Sequence, residues 1–187
     1  MPKHAEGMLR GIGIVAEANE IAMACVLRDG ARWRFHRVGR RALSSRDSIA
    51  ARFKCAHDAW YDFEISLKYV LPADWFAIKD PWGLVAGSAR DNAATVDSRR
   101  QTLMVGQAIE WAIGEGIEPV LFEPGEIKRG LGAQIDSDSR RLAACVGAMV
   151  TGCPSDISLN EATAVATAVM GGRHYLGPAA LLKGKRL

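Results

Sequence analysis

Four sets of residues in this chain have the types and spacing to do chemistry. Trp75-Phe76-Ala77-Ile78 is an apolar run that ends on Lys79, Asp80 and Pro81, which places an ammonium and a carboxylate at the end of a buried strand. Ser158-Leu159-Asn160-Glu161 has the S-x-x-E spacing of a capping box, in which hydroxyl and carboxylate each bond the other residue's backbone N–H. Between Arg28 and Lys54 there are nine Lys or Arg against two acids, Asp29 and Asp47, within a chain of net charge +3. That concentration suits a polyanion, and Arg32, Arg34, Arg37 and Arg40 are its centre; solvated arginines protecting a sheet edge are the alternative. The four cysteines, Cys25, Cys55, Cys145 and Cys153, form no C-x-x-C pair, so free thiols are expected rather than a zinc site or a disulfide framework.

The elements that must hold these residues follow from periodicity. Leu9–Ala16 and Ile21–Leu27 read as strands, with Glu17 in the turn between them, and Arg28-Asp29-Gly30 carries a hairpin signal. Arg32–Arg40 alternates, turning Trp33, Phe35 and Val38 inward, so the chain opens with a three-strand antiparallel meander. Ser44 or Ser45 is expected to cap a helix reaching Leu71. Its stripe of Ile49, Phe53, Ala56, Trp60, Phe63, Leu67 and Val70 steps by fours and threes. Trp75–Lys79 is a strand and the segment to Val96 a loop. Asp97 or Ser98 starts a helix to Gly114 with Leu103, Val105, Ala108, Ile109, Ala112 and Ile113 inward. Pro119–Glu123 is a short strand, parallel to the preceding one through a βαβ crossover. Pro124–Ser137 reads as a loop, Asp138–Thr151 as a helix, and Ser158–Met170 as a last helix stopped by Gly171-Gly172. The expected fold is therefore α/β, a five-stranded mixed sheet of three antiparallel and two parallel strands flanked by helices. A disordered leader (1–8), one domain (9–176) and a loose basic tail (177–187) are expected.

Composition bounds the class. The chain has 187 residues, is 49% apolar and 24% charged, and has no apolar run of membrane-span length and no signal-peptide core. A cytoplasmic protein with no membrane partner is expected.

The order of elements, the strand Trp75-Phe76-Ala77-Ile78 with a nearby aromatic, and the run Val120-Leu121-Phe122-Glu123-Pro124-Gly125-Glu126-Ile127-Lys128-Arg129-Gly130-Leu131-Gly132 before a capped helix together resemble the RuvC-like Holliday-junction resolvases of the RNase H-like superfamily. The resemblance implies a four-carboxylate site for two divalent cations: one acid at the end of the first strand, one at the end of the fourth, and two, three residues apart, at the start of the last helix. This chain departs from that pattern. The matching positions are Ala16, Lys79, Ser158 and Glu161, of which one is an acid; Glu17, Asp80 and Asp156 are neighbouring acids. Strand alternation sends Asp80 away from the side Lys79 faces unless a bulge intervenes, and an ammonium repels a divalent cation. No cofactor is therefore expected, and Lys79 is expected to replace the cation and pair with Glu161. Trp82 matches the family's stacking aromatic and Lys128 a basic loop residue, with Arg129 and Arg140 as phosphate contacts.

The reading is a catalytically inactive RuvC-like protein binding branched or structured DNA, and the resemblance implies a homodimer through the 97–114 helix. One alternative is an active nuclease using Mg²⁺ or Mn²⁺ on Glu17, Asp80, Asp156 and Glu161. Another is a non-enzymatic module on the same fold, with an unknown protein partner.

Overall fold

The computed structural model describes residues 8–44, 46–67, 72–80, 96–131 and 139–182, and of 96–99, 139–140 and 178–182 the backbone only. Strands β1 (Met8–Ala16), β2 (Glu20–Asp29) and β3 (Arg32–Ala42) form the antiparallel meander. Helix α1 (Ile49–Leu67) follows, then β4 (Trp75–Lys79), α2 (Val96–Gly114), β5 (Val120–Phe122), α3 (Pro124–Gly130), α4 (Ser139–Met149), β6 (Val150–Thr151) and α5 (Leu159–Leu182). The sheet order is β5-β4-β1-β2-β3-β6, with β4 parallel to β1 and β5 parallel to β4.

The sheet separates two cores, as alternation requires. Val15, Ala22, Ala24, Val26, Trp33, Trp75 and Ala77 face α5, while Ile12, Ile14, Ala16, Met23, Phe76 and Ile78 face α1 and α2. Of the α1 stripe, Ala56, Trp60, Phe63 and Leu67 are buried, Phe53 is half-buried, and Ile49 is exposed. Val70 lies outside the described residues, as do 68–71, the expected last turn of that helix, and the leader up to Gly7.

Several expectations are corrected. A sixth strand exists: β-branched Val150 and Thr151 leave α4 and pair parallel with Trp33 and Arg34, and Gly152 (φ 82°) turns the chain. Ser48, not Ser44, caps α1, accepting from the Ala51 N–H at 3.2 Å, while Ser44 closes a turn by accepting from Arg46 N at 3.1 Å. Ser45, the other expected cap, is outside the described residues. The supposed loop after β5 contains α3, because Pro124 suits a first helical turn and the Glu126 carboxylate accepts from Glu123 N at 2.9 Å. On α2, Leu103 and Ile113 are exposed; Gln101, Met104, Val105, Ala108 and Ala112 form the buried stripe.

Gly171-Gly172 does not end the last helix. A Cβ at Gly172 would lie 2.4 Å from Trp33 and one at Gly171 2.5 Å from Ala77, so these glycines let α5 press onto the sheet. Gly13 does the same from the strand, where a Cβ would sit 2.0 Å from the Ala164 carbonyl. The helix kinks only at Gly177 (φ 66°) and continues to Leu182, so the first part of the expected loose tail is helical. Among the described residues no helix is long and apolar enough to cross a membrane.

Candidate functional site

Parallel β1 and β4 bring the turn after Ala16 beside the end of β4, with Ile14 paired to Ile78. Val15 and Ala77 face the α5 core, and the next residues of that parity are Glu17 and Lys79. The Lys79 ammonium makes an ion pair with Glu17 Oε1, the two side chains 18% and 25% exposed. Gln101, buried on α2, completes the arrangement. Its Nε2 donates to Glu17 Oε2 at 2.5 Å and to the Ala16 carbonyl at 3.1 Å. Each carboxylate oxygen of Glu17 is thereby engaged, one by a charge and one by an amide.

The expected Lys79–Glu161 pair is thus corrected: the partner of Lys79 is Glu17. Glu161 Oε2 accepts from the Ser158 N–H at 2.8 Å, and Ser158 Oγ accepts from Glu161 N at 3.3 Å, the reciprocal capping box expected at the start of α5. That helix start is docked on the β1–β2 turn by Asn160, which donates to Glu20 at 3.0 Å.

Asp80 is fully buried, and its N–H donates to Phe122 O at 2.8 Å, which extends the β4–β5 ladder one residue beyond Lys79. Regular alternation carries its side chain to the Ile78 side, away from Lys79. Asp156 is exposed in the turn before α5. Among the described residues no group of three or more His, Cys, Asp or Glu is arranged to hold a metal. Among the described residues, the four positions that the resemblance implies as acids, Ala16, Lys79, Ser158 and Glu161, offer one carboxylate, and that one is engaged in the helix cap.

The candidate nucleic-acid contacts are scattered. Lys128 and Arg129 are exposed on the last turn of α3. Arg140 starts α4 with its side chain outside the described residues, and Trp82 lies outside them altogether. Arg32, Arg34, Arg37 and Arg40 are all exposed but do not share one face. A bulge at His36 sets Arg37 opposite Cys25, on the α1 side with Arg34, whereas Arg40 stands opposite Ala22 on the α5 side. Arg34 is 3.9 Å from Asp29, an exposed contact of little weight.

Sequence reading missed Gln101. Its signal was a polar residue in register with Met104, Val105, Ala108 and Ala112 on the inward stripe of α2, a position where an amide needs a partner.

No protein-family model matches this chain, and no curated protein sequence does. Among solved structures, Thermus thermophilus RuvC in complex with a Holliday junction substrate superposes with a TM-score of 0.68 at 13% identity, covering 92% of this chain and 98% of that one. The Thermus thermophilus RuvC structure gives 0.66 at 13% identity, over 90% and 95%. The chain has the RuvC-like, RNase H-like fold over nearly its whole length.

Proposed function

We propose that this protein binds branched or structured DNA on a RuvC-like scaffold without cutting it. The observation that carries the reading is the Lys79–Glu17–Gln101 cluster: the strand ends that would gather carboxylates around metal ions instead hold a neutralised ion pair. The solved RuvC complex with a Holliday junction substrate supports junction-shaped DNA as the ligand. Lys128, Arg129 and the arginines of β3 supply the phosphate contacts, with Trp82 as the stacking residue. The protein works in the cytoplasm as a homodimer through α2. Leu103 (39% exposed) and Ile113 (60% exposed) place apolar side chains on its outer surface, with the exposed Gly106 and Glu110 between them.

The test is incubation with a labelled four-way junction in Mg²⁺ or Mn²⁺. A retarded complex without products is expected, and its affinity should fall steeply with salt. Specific nicks abolished by Glu161→Ala would instead establish a nuclease with a rearranged acid set. Absence of binding would leave a protein-interaction module.

A further inference from the structure

Strand β3 leaves one edge open. β6 covers it at Trp33 and Arg34, and among the described residues 36–42 pair only with β2. The open stretch presents a row of main-chain N–H and C=O groups without a partner strand, and β6 shows that this edge accepts one. The register gives each side chain there a face. Arg37, Gly39 and Arg41 stand opposite Cys25, Met23 and Ile21, on the α1 side, whereas Val38 and Arg40 stand opposite Ala24 and Ala22, on the α5 side.

Between the edge and α1 lies a cavity of about 140 Å³, a side chain's worth of space rather than a ligand's. Its floor is apolar. Ala59 and Phe63 are buried, and a Cβ at Gly39 would lie 3.0 Å from the Phe63 ring, so β3 sets no side chain of its own over that patch. Its rim is cationic: Arg37, Arg40 and Arg41 are exposed, and the one acid in the lining is Asp62, 2.8 Å from Arg41 in an exposed pair of little weight. Arg37 and Arg40 have no ion pair among the described residues.

These features select the occupant. A second copy of the same edge would set arginine against arginine, which is destabilising. Phosphates only accept hydrogen bonds, so a nucleic acid meets the arginines but leaves the edge carbonyls without donors. An extended acidic peptide brings amides, carbonyls and carboxylates together.

We propose that the open edge of β3 takes up an acidic segment of another protein as an added strand, an interaction that goes beyond DNA binding and does not rest on it. The register sets an acid opposite Arg37, a β-branched residue opposite Val38, an aliphatic residue opposite Gly39 that enters the cavity, and acids opposite Arg40 and Arg41. A parallel strand, running as β6 does, reads Asp-Val-Leu-Glu-Asp, and an antiparallel strand reads the reverse. The test is fluorescence anisotropy of short labelled peptides of either order, capped at both ends, titrated with the full-length protein. One order should bind saturably below about 1 mM. Of two copies of that peptide N-methylated at alternate amides in opposite parity, one should lose about tenfold or more and the other keep its affinity, because a strand turns every second amide to its neighbour. The double variant Arg37→Glu/Arg40→Glu, on exposed side chains, should weaken binding about tenfold or more at an unchanged melting temperature. No saturable binding of either order, equal affinity for a scrambled peptide of the same composition, equal effects of the two methylations, or full affinity in the double variant would overturn the added strand. So would binding of an oligothymidylate of equal charge without binding of either peptide, which would assign the edge to nucleic acid.

Discussion

The two ends of the sheet treat a cation in opposite ways, partly exposed and paired at one, buried and incompletely paired at the other. At the C-terminal ends of β1 and β4, Lys79 is neutralised by Glu17, whose other oxygen is taken by Gln101. At the opposite end Arg10 keeps an unmet Nε, although its main-chain N–H donates to Asp74 Oδ2 at 2.6 Å. Polar groups that satisfy one another offset the cost of their desolvation, whereas a buried donor without an acceptor is a standing cost to the fold. The difference between the ends is one of pairing: Glu17 has a partner on each carboxylate oxygen, while Arg10 Nε has none among the described residues.

The largest expected effect comes from reversing the charge at the closed end. Lys79→Glu sets two carboxylates against each other, so it should cost about 2–4 kcal/mol in chelator by urea denaturation. Part of that loss should return with Mn²⁺. A Lys79→Glu protein as stable as wild type, or one indifferent to Mn²⁺, would count against the proposal that the ion pair stands in place of a metal.

A smaller contrast separates the two ends directly. Glu17→Leu strands a partly buried ammonium and should cost about 1–3 kcal/mol, discounted for its partial exposure. Arg10→Met removes a guanidinium that was incompletely satisfied, and should lie within about 1 kcal/mol of wild type. Equal losses in the two variants, read as shifts in urea midpoint at constant slope, would erase the distinction.

The smallest effect concerns pH at the Arg10 end. Burial, then the charges of Arg10 and Arg37, hold the His36 imidazole below its usual range. The unfolded chain therefore takes up that proton first, so the contribution of His36 is present above about pH 6.5 and is lost as pH falls through its folded value. His36→Gln should flatten the decline in melting temperature between about pH 7 and 5. An identical slope in the variant would remove His36 from the account. The Cys25 thiol, pushed by burial up to about 12, stays neutral in this range and gives Arg10 no counter-charge.

Legibility in the sequence followed the range of the interaction. The meander, the buried centre of the α1 stripe and the Ser158–Glu161 cap were readable because each depends on residues a few positions apart, and the parallel β4 and β5 because a strand–helix–strand order needs a crossover. Gly171-Gly172 misled, since a glycine pair that ends a helix and one that lets a helix touch Trp33 look the same without the sheet beside it. β6 was hidden because two residues are too short for a period to show.

The sequence by itself determined that a lysine ends β4 and that Glu161 belongs to a helix cap, both consequences of local alternation and an i to i+3 spacing. Only the tertiary structure decided that Lys79 answers to Glu17, sixty-two residues away, and that Gln101 closes the pair. Strand order determines which loop meets which strand end, and no local pattern encodes it. The same holds for Arg10, whose surroundings come from β1, the region before β4 and the ends of two helices.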